Sequence, residues 1–521
     1  MATPASRRLW RLSLQLHGAL GHEGRSSLAS LSSSFTSSAS LSPASPHPAA
    51  VQAPAPSFAS VAWPSPSALR QEGAAPTRRE LEKGRAADDV APPSPPSSAA
   101  QQRRAMSSSA GPLAGPEALY GEQLLLEFSG DAEAASGCLS VALNRPKQLN
   151  ALSESMVLAF RSLLFRAEED PRVSLLLLAG EGGRAFCAGG DVRRMREAPK
   201  ADVVRFFGQE YALIYHMSRI KKPVVALWDG IVMGGGVGIS IFASHRICTE
   251  TTVWAMPEAA IGLFPDVAAA FFLPRLKSSP AVGFYAGLVG ARFQAEDLVK
   301  TGLATHFVPR ARLEALSSEL KKVSGFLAPE DARAEVDRIL AAFAEPIPGS
   351  SSASASSSGS LSHLSPAVME GIEKYFSALP PTYKDLVSTL EQGEASGCAF
   401  AAEVMKSLHE RCPLSCAVWF SLFTRALRQK APGAASGTPF FSRRREEGET
   451  LLEVLRQDFT LAQALICAFP DNFREGVRAV LVDKDNRPRW TPPTADGLTE
   501  EDVARVLNYE EAEGLDRFLH G

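Results

Sequence analysis

The chain has 521 residues, 45% apolar and 21% charged, the balance of a soluble globular protein with room for two or more domains. A net charge of −3 and a sequence pI of about 6.4 argue against nucleic acid as a main partner, and no apolar run is long enough to span a bilayer. The seven cysteines are odd in number and form no C-x-x-C pair, which fits reduced thiols in an intracellular compartment; the nine histidines form no H-E-x-x-H spacing, so no metal site is expected.

Residues 1–110 are rich in Ser, Ala and Pro and poor in large apolar side chains, and are read as a disordered extension. Arg7, Arg8, Arg11 and Arg25 lie among Leu9, Trp10, Leu12, Leu14 and Leu16, and Glu23 is the only acid before Glu72. A basic, Ser-rich, acid-poor start is the signature of an organelle transit peptide. It predicts import into mitochondria, although plastid presequences overlap it in composition. Met106 could serve as an internal start.

The folded part is expected from residue 116. Residues 138–143 read as a strand turned by N-R-P (144–146), and L-N-A-L (149–152) leads into an amphipathic helix ending near Asp170. An apolar strand at 173–178 precedes two glycine-rich loops, G-E-G-G (180–183) and A-F-C-A-G-G-D (185–191). A helix is predicted over 203–220 and a buried strand over 223–228. That strand enters W-D-G-I-V-M-G-G-G-V-G (228–238), with an apolar helix to Ala243 after the glycine triplet and a strand at 246–248. Alternating strand and helix argues for an α/β layered fold, in which the glycine loops could meet at one end of the sheet.

Glycine lets a ligand approach bare backbone, and a helix starting at the triplet leaves N–H groups pointing out of its first turn. Such a place suits a developing oxyanion. Downstream, M-P-E-A-A-I-G-L-F-P-D (256–266) supplies Glu258 and Asp266, which need not share a helix face because the stretch between them cannot be one regular helix. Alone, the triplet signals a loop and M-P-E a helix start; chemistry is implied only by their combination.

Beyond residue 280 the pattern turns helical: 281–290, 295–301, a short strand at 306–308, then 313–327 and 330–344. Residues 346–365 are a Ser-rich insertion, and helices resume over 368–379, 383–392, 399–410, 414–428 and 449–468. A second polar insertion spans 431–447, whose Arg443-Arg444-Arg445 reads as a solvated charged loop.

The segments 185–191, 233–238 and 256–266 together resemble the enoyl-CoA hydratase/isomerase (crotonase) superfamily, and with F-R-E-G-V-R-A-V-L-V-D-K-D (473–485) they are similar to its β-hydroxyacyl-CoA hydrolase branch. The resemblance implies an α/β fold of stacked ββα turns over 116–345, with C-terminal helices from 366–521 closing over an acyl-CoA. It implies an oxyanion hole made by the backbone N–H groups of Gly190 and Gly235, catalysis by Glu258 and Asp266, and substrate contacts from Glu210, Gly235, Glu258 and Asp266. Read on its own, Glu210 would be a surface helix residue. Hydratases carry a second glutamate two residues beyond the triplet; here that position is Gly238, which speaks against simple hydration.

The implied reaction is hydrolysis of a short β-hydroxyacyl-CoA thioester, with Glu258 as nucleophile or as base. Asp266 would orient Glu258 or hold the substrate hydroxyl. No metal or other cofactor is implied, because coenzyme A is part of the substrate, and neither membrane nor nucleic acid is an expected partner. An enoyl-CoA hydratase or isomerase using Glu258 alone is the first alternative. A structural subunit of a mitochondrial ribosome is the second, the one reading in which nucleic acid would be near.

Overall fold

The structure is a computed structural model that describes residues 122–128, 136–347, 363–429, 448–510 and 514–519. All of these fall in one unit, Ser97–Gly521. The predicted N-terminal extension, most of the insertion at 346–365 and all of that at 431–447 lie outside the described residues.

The strands are β1 (Leu124–Phe128), β2 (Cys138–Leu143), β3 (Leu175–Gly180), β4 (Ala185–Cys187), β5 (Val224–Trp228), β6 (Ile231–Met233), β7 (His245–Cys248), β8 (Val253–Ala255) and β9 (His306–Phe307). One sheet has the order β1-β2-β3-β5-β7-β9 and a second, smaller one β4-β6-β8. Only β1 runs antiparallel to its neighbour; the other pairings are parallel. Each of β3, β5 and β7 lies in the large sheet, and the strand that follows it crosses to the small one. Three stacked turns of this kind make the ββα spiral implied by the sequence. The small sheet was not foreseen: its strands have three residues each, too few to show an alternating pattern.

The helices used below are α1 (Glu154–Glu169), α2 (Lys200–Arg219), α3 (Gly235–Gly238), α4 (Pro413–Gln429), α5 (Gly448–Gln463) and α6 (Asp471–Val477). Ser153 caps α1 by accepting the N–H of Met156. Most predicted helices appear within a few residues of expectation, and the one at Ala295–Thr301 matches it end for end. Two are shorter. The helix expected over 313–327 stops at Leu320, and Phe326 takes a left-handed backbone (φ 62°) before the next helix begins at Pro329. The apolar run 237–243 makes only the single turn α3 and then tight turns, because β7 must start at His245.

The main core fills the space between the sheets and the C-terminal helices. A second apolar cluster, including Leu175, Val225 and Ile247, lies on the outer face of the large sheet with Val336 and Leu340 of the helix Pro329–Phe343. The β strands thus alternate between two cores, which explains why β3 and β5 read as unbroken apolar runs.

Candidate active site

Two backbone amides anchor the site. Asn150, fully buried, donates to the carbonyls of Glu181 (3.0 Å) and Ala185 (2.8 Å), clamping the chain beside β4. Leu152 then brackets the next loop: its N–H donates to Gly189 O (2.8 Å) and its carbonyl accepts from Asp191 N (2.9 Å). Gly190 stands between, with Gly189 at φ 105°, where a side chain would be strained. On the second loop Gly234 turns the chain at φ 49° and Gly235 opens α3, so its N–H has no intrahelical acceptor. Neither the Gly190 nor the Gly235 N–H has a hydrogen-bond acceptor among the described residues. A methyl on Gly235 would stand 3.3 Å from the Gly190 nitrogen and collide with Oε1 of Glu210. The two free donors and the Glu210 carboxyl therefore converge.

The acids come from three separate elements. Glu210 faces inward from α2 and is 2% exposed. Glu258, 5% exposed, starts a one-turn 3₁₀ helix, Glu258–Ile261, after Pro257. Asp266, 4% exposed, follows Pro265 and accepts the Tyr211 hydroxyl through Oδ2 at 2.6 Å. Oε1 of Glu210 and Oε2 of Glu258 have no hydrogen-bond partner, so both carboxyls keep an oxygen open. A methyl on Gly234 would lie 3.0 Å from Glu258 Oε1, which places this acid against the triplet.

Burial dominates the protonation of the group. It pushes Glu210 well above the usual carboxylate range, with the Asp266 charge adding to it. Burial likewise raises Glu258 well above that range, and Asp266 and Glu210 raise it further against the opposing backbone hydrogen bond. Asp266 is raised by burial to about 6, held there by the Tyr211 hydroxyl and a backbone N–H, which favour its charge. Three buried acids cannot all ionise together; they exchange protons as a set. A carboxylate with a raised pKa is also a stronger base near neutral pH.

Every predicted site residue is gathered here. Glu210 is the one that sequence alone would have left on the surface; its Oε1 lies where a methyl on Gly235 would stand, so α2 turns it toward the triplet, while the adjacent Tyr211 packs against Phe459 of α5 with ring centroids 6.4 Å apart. At Gly238, the position of the missing second acid, a methyl would stand 2.7 Å from Ile214 Cδ1 and 2.8 Å from Val267 Cβ. No acid fits there. Even alanine at 238 should therefore strain the packing of Ile214 and Val267.

Two residues were missed. Tyr211 was signalled only by its place beside Glu210. Asp458, 1% exposed, lies on α5 and accepts the Ala268 N–H at 2.8 Å. It stands seven residues after Leu451 and three after Leu455, within the apolar stripe of that helix, and an acid at such a place was the available clue. The helical region also braces Glu258: Cys412 N donates to Ala259 O (2.9 Å), and a methyl on Gly476 of α6 would stand 2.6 Å from Ile261 Cα.

A sequence profile of the family described as "Enoyl-CoA hydratase/isomerase" matches residues 138–507. The chain is 37% identical to the mitochondrial 3-hydroxyisobutyryl-CoA hydrolase of Homo sapiens over 394 residues, 73% of this chain and 87% of that protein. It is 34% identical to the protein of the same name from Danio rerio over 398 residues, 74% of this chain and 90% of the other. Among solved structures, it resembles a carnitinyl-CoA dehydratase from Mycobacterium thermoresistibile (TM-score 0.59, 29% identity), covering 75% of this chain and 98% of that one. An enoyl-CoA hydratase from Rhodobacter sphaeroides 2.4.1 gives a TM-score of 0.57 at 28% identity, covering 75% of this chain and 99% of that one. With the ββα spiral, the paired free amides and these relatives in agreement, the chain belongs to the enoyl-CoA hydratase/isomerase family, alongside the 3-hydroxyisobutyryl-CoA hydrolases.

Proposed function

We propose that this chain hydrolyses the thioester of 3-hydroxyisobutyryl-CoA, releasing 3-hydroxyisobutyrate and coenzyme A. The observation that carries the proposal is the arrangement of acids around the two free amides. Glu258 and Asp266 share one buried compartment with them, while the place of a hydratase's other acid is filled by Ile214 and Val267. The second acid of a hydratase thus has no place at 238, and one acid beside an oxyanion hole suffices for acyl transfer.

In this mechanism the thioester oxygen accepts from the N–H groups of Gly190 and Gly235, and Glu210 and Asp266 hold the acyl portion. Glu258, ionised, attacks the carbonyl carbon; the tetrahedral intermediate expels the CoA thiolate and leaves a mixed anhydride, which water then cleaves. In the variant route Glu258 takes a proton from water, which attacks directly. Both routes consume one water and give one acid and one thiol. Asp266, fixed by Tyr211, steers Glu258 or accepts the substrate hydroxyl. The chemistry calls for no cofactor, since coenzyme A leaves with the product.

Incubating the full chain with 3-hydroxyisobutyryl-CoA should release one free thiol per acid formed. Hydration of an enoyl-CoA without any thiol release would overturn the assignment. The relatives are named mitochondrial, and residues 1–110 are the proposed address to the matrix. A fluorescent reporter carrying that segment should enter mitochondria; a reporter left in the cytosol, or sent to plastids, would refute that placement.

A further inference from the structure

Asp266 stands immediately before two non-glycine residues in the left-handed region, Val267 (φ 49°) and Ala268 (φ 68°). For the β-branched valine this backbone is costly, and such a turn persists only where its surroundings hold it. Inside the turn, Ala269 N donates to Asp266 O (2.8 Å), and Phe271 N and Phe272 N donate to Ala268 O (2.9 and 3.2 Å). The backbone at the left-handed pair is held from a distant element: Ala268 N donates to Oδ2 of Asp458 (2.8 Å), 190 residues along the chain.

We propose that Asp458 is the positioning residue for Asp266: from the C-terminal helix α5 its carboxyl holds the left-handed turn that keeps Asp266 on the Tyr211 hydroxyl. This deepens the thioesterase reading and rests on it for the meaning of turnover. Asp458 lies in an apolar stripe with Leu455 and Phe459, and its Oδ1 has no partner. A charged carboxylate with a single N–H partner in such a place, close to another acid, would be expensive. A neutral carboxyl is not, and its carbonyl oxygen still accepts from Ala268. The direction of its protonation agrees: burial first, then the Asp266 charge, raise it well above the usual range, against the Ala268 hydrogen bond. Asp458 thus fixes Asp266 without setting a second charge beside it.

The test compares Asp458→Ala, which deletes the acceptor, with Asp458→Asn, which keeps it and removes only the titrating proton. Two readouts are taken on the full chain. Hydrogen exchange of the peptide 266–273 should rise about ten-fold or more in Asp458→Ala while β5 stays protected, and should stay near wild type in Asp458→Asn. Thiol release should show kcat lowered about ten-fold in Asp458→Ala with KM within about two-fold, and the acid limb of the kcat profile moved to higher pH. The limb moves up because the Tyr211 bond, which lowers the Asp266 pKa, is lost. Glu210, Tyr211 and Glu258 also face this group, but none of them is changed.

Both variants abolish the titration of Asp458, so a limb shifted by alanine and restored by asparagine reports position rather than charge. Unchanged exchange at 266–273 in folded Asp458→Ala overturns the proposal. So does an Asp458→Asn protein whose limb or kcat matches the alanine variant, which keeps the idea open to refutation should alanine fail to fold. If wild type releases no thiol, the thioesterase reading fails while the exchange comparison still decides the role of Asp458.

Discussion

Replacing Glu258 with glutamine is expected to lower kcat by about 10²–10⁴-fold, the range in which a positioned acid or base contributes, with CoA-ester binding nearly unchanged. Glutamine keeps the size and hydrogen bonding of the side chain and removes the charge that either a nucleophile or a base needs. The same substitution should raise the melting temperature. Glu258 is buried with Oε2 unpartnered, and its pKa lies well above the usual 4.5, so the folded chain holds its proton more tightly than the unfolded chain does. A group of this kind favours folding most below its unfolded pKa, and that contribution is lost as pH rises. Asp266, raised from 3.8 to about 6, acts in the same sense between those two values. The gain in melting temperature for Glu258→Gln should therefore be larger at pH 8 than at pH 5. Wild-type turnover by the folded variant would move the chemistry to another residue. A lower melting temperature at pH 8 would contradict the buried, unpartnered state of the acid.

Gly235→Pro should reach or exceed the loss seen when one oxyanion donor is removed, about 2.7–4 kcal/mol in the barrier or roughly 10²–10³ in kcat. Proline deletes the N–H aimed at the thioester oxygen and also fixes φ in the loop. Gly235→Ala keeps the donor, and the contacts decide its effect. Its methyl collides with Oε1 of Glu210, so it evicts that carboxyl before it meets substrate. Alanine should mainly raise KM, and proline should mainly lower kcat. Thiol release on variants checked by circular dichroism gives the ranking. If folded Gly235→Pro turns over at the wild-type rate, the glycine triplet is only a turn.

Sequence carried the fold where the pattern was long or flanked by clear breaks. The periodic helices and β2 needed nothing but their apolar spacing and the Pro, Gly and Ser residues at their ends. The small sheet escaped because β4, β6 and β8 exist only through pairing with one another. In the site, glycines and acids were visible through their combination, while their setting was not. Whether Glu210 points in or out depends on α2 packing against the glycine loop, where its Oε1 occupies the place of a Gly235 methyl. The same holds for Gly238: nothing near it in sequence announces that Ile214 and Val267 occupy its side-chain space. Asp458 was hidden for a related reason. Its partner is a backbone N–H, which leaves no trace in the letters of a sequence.

The bonds that complete the acid-bearing turns join distant parts of the chain, Ala259 to Cys412 and Ala268 to Asp458. Closing loops of this length costs entropy that is recovered only when the late helices dock, so the two turns settle after the sheets have formed. Synthesis adds a delay of its own. With 190 residues between Ala268 and Asp458, elongation at about 5–20 residues per second leaves roughly 10–40 s in which a growing chain holds Glu258 and Asp266 but not the carboxyl that fixes the turn. A chain cut after residue 429 would keep the glycine loops, Glu210, Glu258 and Asp266 and would still lack that carboxyl. On the proposed role of Asp458, the full rate of hydrolysis waits for the last quarter of the polypeptide to be made, although every residue assigned to the chemistry lies well before it.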